Sequence, residues 1–175
     1  VDCLETAYLK NLELIGFDNT PQNIECLKND TVSFLISQKP DIVFVEFGMN
    51  EHLIGSNMDD HLDAIEAGIK KLLSTGINCV LIGFFQQNPY WEAEDINSTI
   101  YFNSELRKIA ESNNIYFSDI YSQFELFSEE KKYRDLMGDY HHHPTDFGHK
   151  LYYLTTMPFI LFSDKKESEL LNLIN

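Results

Sequence analysis

Residues 139–145 read Asp-Tyr-His-His-His-Pro-Thr, and no other stretch of the 175-residue chain is so rich in groups that could move a proton. Histidine titrates near neutrality, so an imidazole here could serve as a general base. Three adjacent histidines could also suggest a metal site, or simply a polar turn. Pro144 restricts the backbone of His143, which helps to hold that ring in place. Asp139 is near enough in sequence to accept a proton from a ring nitrogen and orient the imidazole. The metal reading is the weaker one: neighbouring side chains point in different directions, and Glu51 and His52 form no second cluster with ligand spacing. No metal and no cofactor is therefore expected. His149, one turn into the following helix, reads as a helix-face histidine with a satisfied hydrogen bond.

A second group that could do chemistry is Asn50, in Gly48-Met49-Asn50-Glu51-His52. Gly48 allows a tight exit from a strand. The Asn50 amide would then stand just past the strand end, where it could donate to a developing oxyanion. Asn also closes turns, so the short Gly-x-Asn pattern alone leaves both roles open.

The elements that must position these residues follow from hydrophobic periodicity. Residues 41–48 (DIVFVEFG) and 78–85 (NCVLIGFF) are short, β-branched and aromatic runs, bounded by Pro40 and Gly76, as buried parallel strands are. Residues 114–120 (NIYFSDI) and 12–17 (LELIGF) read as weaker strands. Ile24, Leu27, Thr31, Phe34 and Leu35 recur at helical spacing before the first strong strand. Leu62, Ile65, Ile69, Leu72 and Leu73 do so before the second, with Asp59 and Asp60 at the helix start and Gly76 just past its end. Phe102, Leu106, Ile109 and Ala110 form a third helix, with Asn97 or Ser98 as N-cap. A last helix starts after Thr145 as N-cap, with Phe147, Leu151 and Leu154 on one face, and Pro158 should kink or end it. The tail from residue 163 reads as a short amphipathic helix.

This β-α alternation implies an α/β protein, a three-layer sandwich around a parallel sheet of flavodoxin-like type, in which chemistry sits at the carboxyl ends of the strands. Residues 1–175 read as a single domain, long enough to bury a full core. The net charge of -15 disfavours nucleic acid or an anionic membrane as partner. No apolar run is long enough to span a bilayer. Cys3, Cys26 and Cys79 make neither a disulfide framework nor a zinc spacing, and Cys79 reads as a small buried hydrophobe. The chain begins at Val1 rather than Met, so the natural N-terminus, with any targeting signal, is expected upstream. Compartment is left open.

Taken together, these two segments resemble motifs of the SGNH (GDSL-type) hydrolase superfamily. Gly48-Met49-Asn50-Glu51 is similar to its Gly-x-Asn-Asp block, with Glu in place of Asp. Asp139 to Pro144 is similar to its Asp-x-x-His-Pro block, and HPTDFGHKLY resembles the HPNDFGH form of that block. Residues 101–124 look like the helix–strand pair that is common in the superfamily. The resemblance implies hydrolysis of an ester, most often an acyl group on a carbohydrate or lipid. It also implies a serine nucleophile, a histidine base, an aspartate that orients it, and an oxyanion hole of backbone amides and asparagine. Carried over by residue, His143 is the base, Asn50 the oxyanion donor, and Gly48 the shaper of its loop.

The chain departs from this pattern in three places. Asp139 lies four residues before His143, where the block calls for three, and the position three before is Tyr140. His142 has Asp139 at the family spacing and is the alternative base; a third option is that His143 acts without a carboxylate. His143 is preferred for its proline. Asn19 stands where a glycine would supply a second oxyanion amide. The nucleophile is not found: Val1-Asp2-Cys3 is the only local match to Gly-Asp-Ser, with no strand before it, and Ser56 and Ser118 lie outside any such motif. An N-terminally truncated hydrolase, missing its first strand and serine, is preferred to a natural pseudoenzyme, and the fragment itself is expected to be inactive. The competing class is a non-catalytic module that holds a glycan or protein partner on the same fold. Phe85, Tyr90 and Trp91 could stack on sugar, while Phe84 reads as core. The loop at residues 86–95 is the expected specificity segment. Nucleotide binding is disfavoured because no strand is followed by a Gly-rich phosphate loop.

Overall fold

A computed structural model describes residues 31–47, 58–85, 96–130, 135–138 and 143–161. Its elements are α1 (Thr31–Gln38), β1 (Ile42–Val45), α2 (Met58–Leu73), β2 (Asn78–Ile82), α3 (Ile96–Ser112), β3 (Tyr116–Ser118), α4 (Ile120–Glu130) and α5 (Asp146–Leu161). The strands are parallel in the order β1-β2-β3, with Ile42 opposite Asn78 and Val80 opposite Tyr116. Sequential strands joined by crossovers of one hand put both connecting helices on the same face. Accordingly α2 and α3 cover one side, and the chain then crosses over so that α4 and α5 cover the other.

The alternation of strand side chains divides the core. Val43, Val45, Cys79 and Leu81 point toward α2 and α3, where they meet Leu62, Ile69, Leu72, Phe102, Leu106 and Ala110. Ile82, with Phe44 packed against it, points the other way, toward Ile120, Phe124, Leu136, Met137 and Leu151. The three-layer α/β/α sandwich is thus as the periodicity implies, and Cys79 is a buried small hydrophobe, 3% exposed.

The ends of the helices explain how the strands are launched. Gly76 has φ 81°. Its N–H donates to the Leu73 carbonyl at 3.0 Å and that of Ile77 to Leu72 at 3.4 Å, and Ile77 packs beside Leu72 in the core. This is a Schellman cap, which Gly favours because it carries no Cβ. Asn114 (φ 52°) repeats the device after α3, where the Ile115 N–H reaches the Ala110 carbonyl at 3.0 Å.

The structure corrects the sequence reading in four places. The strands end sooner than the apolar runs do, at Val45, Ile82 and Ser118: residues 46–47 and 83–85 lie outside the ladder, and Ile120 already begins α4. Helix α3 is already under way at Ile96, so Asn97 and Ser98 lie in its first turn and neither is the N-cap. Helix α5 runs through Pro158 to Leu161, so the proline does not end it. Helix α4 is unanticipated. Ile120 and Phe124 are wholly buried, with Phe127 packed beside them at i+7, and Asp119 Oδ1 accepts the Ser122 N–H at 3.1 Å as its cap. The strand at 12–17, the residues Ile24 and Leu27, and the tail helix fall outside the described residues.

Candidate active site

Helix α5 runs antiparallel to the strands. Near its start, Tyr152 donates its hydroxyl proton to Glu46 Oε1 at 2.9 Å, one residue beyond the end of β1. Further along, Thr156 Oγ1 is 3.0 Å from the Ser118 hydroxyl, at the end of β3. Near its far end, Phe159 stacks with Tyr116 at the beginning of β3, centroids 5.0 Å apart. The N-terminus of α5 therefore lies at the carboxyl edge of the sheet. His143, three residues before the helix, lies beyond that same edge, where α/β folds place their chemistry.

His143 is held at the backbone. The Gly138 N–H donates to its carbonyl at 2.8 Å, and Met137 bridges Pro144 in antiparallel fashion. The Thr145 N–H donates to the Leu136 carbonyl at 2.8 Å, and its hydroxyl to the Asp135 carbonyl at 2.8 Å. That hydroxyl oxygen also accepts the Gly148 N–H at 3.1 Å, so Thr145 is the N-cap, as its residue type suggests, and a cap of this kind contributes about 1 kcal/mol. Leu136 and Met137 are wholly buried beneath it. The two short arms, 135–138 and 143–145, are thus tied to each other and to the start of α5.

Gly148 completes the clamp. A Cβ there would lie 2.5 Å from the Leu136 carbonyl oxygen and 2.8 Å from Pro144 Cβ. This accounts physically for the glycine in HPTDFGH: the helix can approach the arm only where a side chain is missing. His143 is itself exposed. His149 is exposed on α5, its ring 6.3 Å from that of Tyr152.

Of the residues singled out as base, orienting carboxylate or oxyanion donor, only His143 is placed by the described structure. Gly48, Asn50, Asp139 and His142 lie outside the described residues, as do Glu51, His52, Cys3, Asn19, Ser56, Tyr90 and Trp91. The chain leaves the described region at Phe47, immediately before Gly48 and next to Glu46, which α5 holds. Phe84 is a core residue, stacked on Phe102 with centroids 5.2 Å apart. Phe85 is 5% exposed, sits between Phe124 and Tyr152, and is in no position to stack on a sugar. Ser118 is buried and engaged by Thr156.

Two residues at the carboxyl edge, Glu46 and Tyr152, were not singled out. Burial holds the Glu46 carboxyl above its usual range, and the Tyr152 hydrogen bond offsets part of that rise. Glu46 as a whole residue is nonetheless exposed, just past the end of β1. Burial also pushes the Tyr152 phenol well above its ordinary range, and the neighbouring Glu46 carboxylate adds to this, so the phenol stays protonated and remains a donor. The available signal was a single acidic residue closing an otherwise apolar strand run, IVFVEFG.

An apolar groove of about 390 Å³ lies on the other side of β1, lined by residues of α1, β1 and α2 that include Leu35, Val43 and Ile65. No residue of the His143 segment or of α5 is among its described lining residues.

Comparison with known proteins agrees with this architecture. A GDSL-like lipase from Parabacteroides merdae is similar in structure at a TM-score of 0.60 and 18% identity, over 77% of this chain and 64% of that one. An acetylxylan esterase from Geobacillus stearothermophilus gives 0.57 and 22%, over 75% and 64%. A further acetyl xylan esterase gives 0.63 and 20%, over 75% and 72%. The chain thus spans about 64% of the length of the first two. No curated protein sequence matches it. The family model of the GDSL-like lipases and acylhydrolases matches residues 19–151, which takes in both the strand–Asn50 segment and the His143 clamp, and the chain belongs to that family.

Proposed function

We propose that the full-length protein hydrolyses carboxylic esters, with His143 as general base and Asn50 as an oxyanion donor. The observation that supports this best is the antiparallel run of α5. It sets the exposed His143 over the edge of the sheet from which the chain departs toward Asn50. In this reading a serine upstream of Val1 supplies the nucleophile, since residues 1–175 hold no Gly-Asp-Ser block. The serine oxygen attacks the ester carbonyl while His143 takes its proton. Asn50 and backbone amides stabilise the oxyanion, and His143 then protonates the departing alcohol. Water, deprotonated by the same histidine, releases the acid. Asp139 orients the ring.

The substrate class is a small-molecule or carbohydrate ester. Acetylated xylan is the first natural substrate to test, because acetyl xylan esterases are among the similar structures. The full-length protein should cleave an aryl acetate, and His143→Ala should reduce kcat by about 10⁴-fold or more. Residues 1–175 alone should show no turnover. Full activity in His143→Ala, with activity lost in His142→Ala, would transfer the base to His142. A full-length protein that binds acetylated oligosaccharide without cleaving it would be the non-catalytic module instead.

A further inference from the structure

The contacts of Tyr152 join two places where the chain leaves the sheet's carboxyl edge to helix α4. Its hydroxyl donates to Glu46 at 2.9 Å, just past β1 and two residues before Gly48. Its ring meets Phe85 edge-on at 6.5 Å, three residues past β2 and at the start of the 86–95 segment. Phe124 closes the other side at 6.0 Å, also edge-on. Tyr152 is itself carried by α5, whose first turn is clamped to His143. Three edge-on or tilted ring contacts would hold a phenylalanine here equally well. The hydroxyl is therefore not needed for packing, and what it adds is directional: it donates to Glu46 and is hydrogen-bonded to the Phe85 backbone, which ties the helix that follows His143 to the exits of β1 and β2.

We infer that Tyr152, through its hydrogen bond to Glu46, is a positioning residue that holds the His143 segment and the β1 exit at working separation. This rests on the ester-hydrolase reading above. A misplacement of about 1 Å between a base and an oxyanion donor can cost up to about 10²-fold in rate, so a loosened tie should appear in turnover rather than in substrate binding.

The test uses the full-length protein with an aryl acetate, and a fluorophosphonate probe to count competent sites. Tyr152→Phe should lower kcat about tenfold per labelled site, with KM within about twofold. Glu46→Leu removes the acceptor and should match it, while Glu46→Gln, which keeps an acceptor oxygen, should retain kcat within about threefold. The Tyr152→Phe/Glu46→Leu double variant should be no slower than Tyr152→Phe alone by more than about twofold, because Tyr152→Phe already removes the Glu46 tie. Equal kcat in Tyr152→Phe and wild type would overturn the inference, as would a loss carried wholly by fewer labelled sites. If Tyr152→Phe fails to fold, the Glu46 pair decides: Gln as slow as Leu overturns it. His143→Ala separates the two levels. If that variant stays active, the assignment of His143 as base falls and this inference with it; if it is inactive while Tyr152→Phe and Glu46→Leu turn over as fast as wild type, only the positioning role is lost.

Discussion

The two helical layers are built by different means. On the α2/α3 side, aliphatic and aromatic side chains interdigitate over Val43, Val45, Cys79 and Leu81; there the buried Asn103 amide accepts the Phe84 N–H at 2.8 Å just past β2, and the exposed Arg107 pairs with Asp119 just past β3. On the α4/α5 side, apolar packing is supplemented by directional ties from side chains to the sheet edge: Tyr152 to Glu46, Thr156 to Ser118, and Thr145 to the 135–136 backbone. Hydrophobic burial is non-directional and tolerates small shifts, whereas hydrogen bonds weaken steeply with angle and distance. The layer that supplies the bulk of the apolar core therefore differs from the layer that registers the His143 segment. The first should be sensitive to lost volume and the second to lost geometry.

The largest effect on stability should come from the apolar layer. Leu106 is wholly buried between α3 and the sheet, and Leu106→Ala should cost about 2–5 kcal/mol in denaturant unfolding. Under the proposed function, ester turnover of the full-length protein, per folded molecule, should be almost unchanged. A large loss of turnover without a stability loss would blur the distinction between the layers.

Next in size, Gly148→Ala tests the registering layer. The new Cβ would press on the Leu136 carbonyl and on Pro144, so the helix and the 135–138 arm must separate. Overpacking of this kind costs about 1–3 kcal/mol. Turnover should fall far more than the stability loss predicts, by about 10²-fold, because His143 moves with its clamp. A variant as active as wild type would show that the clamp does not govern the base. Thr145→Val keeps the shape but loses both the cap and the tie to Asp135, for about 1–2 kcal/mol; Thr145→Ser should restore most of it.

The same contrast governs how much could be read from the sequence. Periodicity reports burial, so the strands around Val43 and Leu81 and the helices around Ile69 and Leu106 were legible, and so was the cap chemistry of Gly76 and Thr145. Helix α4 was missed although Ile120, Phe124 and Phe127 stand at helical spacing, because it follows a three-residue strand with no separating loop. HPTDFGH was recognisable as a motif, but its glycine acquires a reason only when Leu136 and Pro144 are seen against it. Glu46 and Tyr152 are 106 residues apart. No local pattern couples them, since a long-range hydrogen bond leaves no period in a sequence.

The smallest effect, and the sharpest test of the polar layer, is the charge on Glu46. Its carboxyl is held above the ordinary 4.5 in the folded protein, chiefly by burial. At pH 4 the group is mostly protonated whether the chain is folded or not, and it shifts the equilibrium little. As pH rises past 4.5 the unfolded chain gives up this proton more readily than the folded one does. The folded state then holds more protons, so stability falls with rising pH until the folded carboxyl has ionised too, and stays lowered above that point. Gln at this position keeps an acceptor for Tyr152 without the charge. The difference in melting temperature between Glu46→Gln and wild type should therefore favour the variant more at pH 7 than at pH 4, with every other titrating group cancelling in the comparison. A difference that shrinks or reverses at pH 7 would mean that the Tyr152 hydrogen bond outweighs the burial. The carboxylate would then be the stabilised form, and the tie between α5 and β1 would be stronger as a charged bond than as a neutral one.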